Sequence, residues 1–145
     1  MNYTSIEQSI RLEKLGLDIM TADMFYNEEP DENYPKDIVD TKYPIVIREG
    51  QKHHLLEYGI PCWSLDALLE VMPKAIQKYD NRDRCYKTYH PNLYQAYYHC
   101  CGYAFGPSLK QENHDMLCTF GDDTWIDVVF KTVVWLLEKG YIETK

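Results

Sequence analysis

Residues 123–142, DTWIDVVFKTVVWLLEKGYI, read as one amphipathic helix with a start, a buried face and a stop. Asp122, Asp123 and Thr124 supply N-cap oxygens, and Asp127 places negative charge at the positive end of the helix dipole. Ile126, Val129, Phe130, Val133 and Leu137 recur at the i, i+3, i+4, i+7 spacing of one face. Lys139 and Gly140 supply the C-terminal charge and the left-handed cap. A helix patterned this way needs an apolar surface to dock on, so a packed core is expected, with Val133 inside it. At 145 residues the expectation is a single domain over 1–145 that needs neither disulfide nor metal.

Thr4-Ser5-Ile6-Glu7 matches a capping box with Thr4 at N-cap and Glu7 at N3. The helix it starts should run to about Leu15, stop at Gly16, and bury a narrow stripe of Ile6, Ile10 and Leu15. A short turn over 21–25 is expected, capped by Thr21. Residues 27–43 hold Glu28, Glu29, Asp31 and Glu32 among prolines, which predicts an extended acidic loop. Ile45–Arg48 is a short strand, and His53–Tyr58 is its expected hairpin partner. Ser64 caps a helix whose stripe is Leu65, Leu68, Leu69 and Met72, ended by Pro73. Residues 86–104 are strand-rich, with His90-Pro91-Asn92 expected as a turn. Period-2 alternation sends Tyr94, Tyr98 and Cys100 one way and Leu93, His99 and Cys101 the other. Met116–Phe120 is a last strand. Short sequential strands favour antiparallel pairing. The expected fold class is α+β: a small antiparallel sheet packed by an N-terminal, a middle and a C-terminal helix in two layers.

The net charge is -8 and uneven: residues 1–50 carry 11 acidic and 5 basic side chains. An acidic surface repels phosphate, so no strong nucleic-acid binding is expected of the whole chain. The local exception is 74–87, where Lys74, Lys78, Arg82, Arg84 and Lys87 outnumber Asp80 and Asp83. No run of about 18 apolar residues is present, so no membrane-spanning helix is expected. The polar start shows no secretory signal, which places the chain in the cytoplasm with reduced thiols. Cys62, Cys85, Cys100, Cys101 and Cys118 are odd in number and form no CxxC, so they read as unpaired thiols.

Four kinds of site come into question. Metal binding would draw on His99-Cys100-Cys101, on His114 with Cys118, or on His53-His54. Neighbours on a strand point to opposite faces, so the spacing predicts no metal site. Thiol catalysis would favour Cys62, just before the Ser64-capped helix, yet no nucleophile signature surrounds it. Carboxylates abound, but Asp122 and Asp123 are explained by capping, and HExxH, P-loop, GxGxxG and GxSxG are absent. The tyrosines of 86–103 could stack on bases or present a surface to a protein. The charge favours the protein. No catalytic, cofactor-binding or metal residue is therefore assigned, and no cofactor is expected.

The strings SIEQSIRLEKLGL, IPCWSLDALLEVMP and DTWIDVVFKTVVWLLEKGYI resemble, in that order, recurring blocks of small phage, prophage and mobile-element proteins of gut anaerobic bacteria, a family of unknown function. The resemblance implies expression in a bacterial cytoplasm from an accessory gene. It implies no activity, catalytic residue or cofactor. The expectation is a noncatalytic module that binds another protein. The alternative is an enzyme or small-ligand binder with a pocket near Cys62, Trp63, His99 and Cys101. A third reading, an acidic mimic of nucleic acid, would require a contiguous ridge of carboxylates.

Overall fold

Two overlapping capping boxes compete at the start of the chain, and Ser5 rather than Thr4 takes the cap. The Ser5 side chain accepts from the Gln8 N–H, while the Gln8 side chain accepts from the Ser5 N–H. Thr4 is drawn away because its hydroxyl is buried and accepts from the Trp63 backbone N–H at 3.0 Å. In the computed structural model, residues 2–27, 43–48, 52, 59–105 and 116–144 are described. The expected acidic loop lies almost wholly outside them, as do His53–Tyr58 and His114.

The first helix, α1, spans Ile6–Lys14 and ends where Gly16 turns to φ 92°. Its buried residues are Ser9 and Leu12. Ile6 and Ile10 remain about one-third exposed, which corrects the expected stripe. The hydroxyl contact between Thr4 and Ser9 at 2.8 Å rotates the helix so that a polar residue faces inward. A single 3₁₀ turn follows over Ile19–Thr21, capped by Asp18 and not by Thr21. Residues expected to continue that turn instead form strand β1, Met24–Asn27. It is the centre of a three-stranded antiparallel sheet, flanked by β2 (Ile45–Val46) and β3 (Gly59–Cys62).

Helix α2, Leu65–Val71, carries the expected Ser64 cap, buries Leu68, and stops before Pro73. Beyond it a four-stranded antiparallel sheet runs in sequence order: β4 (Ile76–Asp80), β5 (Cys85–Gln95), β6 (His99–Phe105) and β7 (Met116–Asp122). His90-Pro91-Asn92 is not a turn. The three residues lie inside β5, paired with Ala104, Tyr103 and Gly102, and the reversal comes at 96–98. The proline is tolerated because β4 pairs β5 only as far as Tyr89, leaving the edge open beyond it. The alternation survives this change, since Leu93 pairs with Cys101 and Tyr94 with Cys100 across the hairpin.

Helix α3, Trp125–Glu138, is capped by Thr124 and followed by Lys139 and Gly140, the latter at φ 77°. It packs on β6 and β7. Val128, Val129, Val133 and Leu136 have no exposed surface. Phe130, expected on that face, is half-buried at its margin. The core they join also takes Leu12 from α1, Phe25 from β1, Trp63, Leu68 from α2, and Tyr89, Cys101 and Tyr103 from the four-stranded sheet. The class is α+β, as expected; among the described residues three helices of more than one turn are seen, and the strands divide between two antiparallel sheets rather than forming one.

Candidate interaction surface

The alternation of the four-stranded sheet sorts its side chains. One face turns Ile76, Tyr89, Cys101, Tyr103 and Phe120 toward α3. The other takes Tyr79 opposite Tyr86, Tyr94 opposite Cys100, and Gly102 opposite Thr119. No described helix covers this outer face. Tyr79 and Tyr86 are 45% and 68% exposed, and their rings meet edge to face at 5.2 Å. Tyr98, 58% exposed, lies beside Gly121, and Tyr97 stands free at the 96–98 reversal.

Gly102 shapes the middle of that face. A Cβ there would come 2.1 Å from the Cys118 carbonyl oxygen, next to the register shift between β6 and β7. The bare position lets the Tyr94 hydroxyl reach Thr119 at 3.3 Å across β6. Tyr94 is therefore half-buried and oriented, while Tyr79 and Tyr86 are exposed.

The β4–β5 hairpin adds charge. Lys87 binds Asp80 at 2.7 Å and Asp83 at 2.6 Å, and its ammonium lies 5.2 Å from the Phe105 ring centre. Asp80 also accepts from the Arg82 backbone N–H. The Lys87 contact holds the Asp80 carboxyl below the ordinary carboxylate value, and the two aspartates raise the Lys87 ammonium. Both carboxylates of the basic run are thus spent on one lysine. Lys74, Lys78, Arg82 and Arg84 are exposed, and none forms an ion pair among the described residues.

The residues named for other chemistry are not brought together. Cys62 and Trp63 are fully buried on the three-stranded side, where Cys62 contacts Thr4 and the Trp63 indole donates to Thr21. Cys101 is fully buried under α3. His99 meets the Trp125 ring edge at 4.6 Å. Burial pushes the Cys62 and Cys101 thiols up, and that of Cys118 to about 11, away from nucleophilic character. Among the described residues, no three His, Cys, Asp or Glu side chains converge as ligands.

A concavity lies elsewhere, among the described residues. It measures about 650 Å³ and is bordered by Leu17, Asp18, Asp23, Asp66, Glu70 and Glu143. Asp23 is engaged there by the Ser64 N–H and hydroxyl, and Asp18 caps the 3₁₀ turn. Sequence reasoning did not find this cleft. Its walls come from four separated stretches, around Leu17–Asp23, Lys52, Asp66–Val71 and Ile142–Thr144, and no local pattern in the sequence brings them together. No family model, curated protein or solved structure matches the chain.

Proposed function

We propose that this chain is a noncatalytic module that binds another protein through the outer face of its four-stranded sheet. The carrying observation is the exposure of Tyr79, Tyr86 and Tyr98 on a face that no described helix covers. Tyrosine gives large contact area at low cost in conformational entropy, and it is enriched among the residues that dominate binding energy. The buried thiols of Cys62 and Cys101 and the raised Cys118 thiol, none set beside a described histidine, argue for a scaffold and against a reacting centre. An accessory role in a bacterial cytoplasm, the setting implied by the resemblance to mobile-element proteins, belongs to the same proposal. Five unpaired cysteines suit a reducing compartment.

Photo-crosslinking in the cells that express the protein tests this reading. A photoreactive phenylalanine analogue at Tyr86 or Tyr98 should give a discrete crosslinked species, and the same group at Lys14 on α1 should not. Crosslinking from Lys14 alone, or from none of the three, would overturn it. The alternative of a small-ligand binder is favoured only by the 650 Å³ cleft, a size within the usual range for ligand sites. A compound screen in which Glu70→Ala abolishes a ligand-induced rise in melting temperature would move the function there.

A further inference from the structure

We propose that the β4–β5 hairpin is a docking site for an acidic segment of the partner protein. This rests on the protein-binding reading and names the partner's chemistry.

Three observations converge on the hairpin. First, its charges are sorted by geometry. Lys87 gathers Asp80 and Asp83 to itself, which leaves Lys78, Arg82 and Arg84 exposed and unpaired among the described residues. Residues 74–87 contribute +3 to a chain whose net charge is -8. Second, Arg84 adopts φ 53°, alone among described non-glycine residues in being left-handed. Glycine or asparagine is the usual occupant of such a position, and a residue with a longer side chain is strained there. A strained backbone position held by a charged side chain, where glycine would be unstrained, motivates a test of that side chain. Third, the edge-to-face pair Tyr79–Tyr86 supplies apolar area on the outer face of the same hairpin, whose turn carries Arg82 and Arg84, while Lys78 lies opposite Lys87 on the other face. A guanidinium pairs with a carboxylate through two parallel hydrogen bonds, and a tyrosine ring can cover the neighbouring apolar side chain.

Charge complementarity also separates the candidate occupants. Screening confines the hairpin's field to about 8 Å at physiological salt. A short acidic segment needs only that local field. A nucleic acid runs beyond it, over a surface whose remaining charge is strongly negative, and its affinity depends on how many phosphates are neutralised. The observations therefore favour a peptide.

The test uses a short fluorescein-labelled peptide of aspartate and glutamate with two central phenylalanines, titrated by anisotropy against the full chain. Binding should be saturable and weaken as salt is raised. The double variant R82E/R84E should weaken it about tenfold or more, as expected from reversing two exposed charge pairs. Arg84→Gly should weaken it several-fold while melting at or above the wild-type temperature. A merely structural arginine would give the opposite melting result. The proposal is overturned if the peptide does not bind, or if R82E/R84E binds it equally well. It is overturned too if a single-stranded or duplex oligonucleotide binds more tightly, or if sedimentation shows a self-association that R82E/R84E abolishes. If the peptide is inert while Tyr86 and Tyr98 still crosslink in cells, the hairpin assignment fails and the sheet-face reading stands. Loss of those crosslinks removes both.

Discussion

Thr4 shows how one hydroxyl can be claimed by tertiary structure. Its side chain contacts Ser9, accepts from the Trp63 N–H, and has the Cys62 thiol nearby; its backbone pairs with Trp63 and accepts from the Tyr26 hydroxyl. The motif T-S-I-E-Q contains two capping boxes one residue apart, and spacing alone cannot choose between them. What decides is β3, about 58 residues on, and that is invisible to a local reading. Thr4→Val keeps the shape and leaves the Trp63 N–H without its hydroxyl partner. It should cost on the order of 1–3 kcal/mol, measured by urea denaturation. A core position with no polar role behaves differently. Val133 has no exposed surface, so Val133→Asp should bury an unpaired charge, cost on the order of 4 kcal/mol, and leave little folded protein. A soluble variant with an unchanged melt would contradict its burial.

At the scale of elements, legibility follows how local the determining signal is. Helices α2 and α3 were readable to within a residue or two, because cap, stripe and stop all sit in one window. Strand β7 was readable as a short apolar run. The passage at His90-Pro91-Asn92 was misread, since proline marks a turn in isolation and an open strand edge in this sheet. Of the candidate surface, the sequence showed a tyrosine-rich stretch and a basic run. It did not show that Lys87 takes both aspartates, one across the strands and one from the turn. That clamp has a definite pH window. Asp80, whose carboxyl is lowered, contributes stability present above its ordinary value of 3.8 and lost as pH falls through the depressed one. Lys87, whose ammonium is raised, contributes below its ordinary value of 10.5 and loses it as pH rises through the raised one. Lys87→Met should therefore lower the melting temperature at neutral pH, and the gap to wild type should shrink once the pH is well below 3.8. A gap that stays constant down to strong acid would show that the ammonium's position over the Phe105 ring matters and the charge pair does not.

For the whole molecule, the determining fact is that two sheets share one core. Phe25 from the three-stranded sheet, Cys101 and Tyr103 from the four-stranded sheet, and Leu12, Leu68 and Val133 from α1, α2 and α3 belong to a single apolar cluster. The Gln8 side chain donates to Asp127 at 2.8 Å, tying α1 to the start of α3. Neither sheet can lose its partner without exposing apolar surface, so unfolding should be all-or-none. The three tryptophans make this measurable, because Trp63 reports on the first sheet and Trp125 and Trp135 flank the second. Fluorescence and far-ultraviolet circular dichroism should give coincident melts, with a calorimetric enthalpy equal to the van't Hoff value. The same core bears on metal. Its cohesion comes from apolar burial and, among the described residues, no ligand set converges. Chelator added before the melt should leave the midpoint where it was, whereas a structural zinc site would make the fold metal-dependent. Two separated transitions would divide the chain into independently folding halves. A chelator-induced loss of one transition would locate the metal in that half, and Cys118 with His114 would then be the first pair to replace.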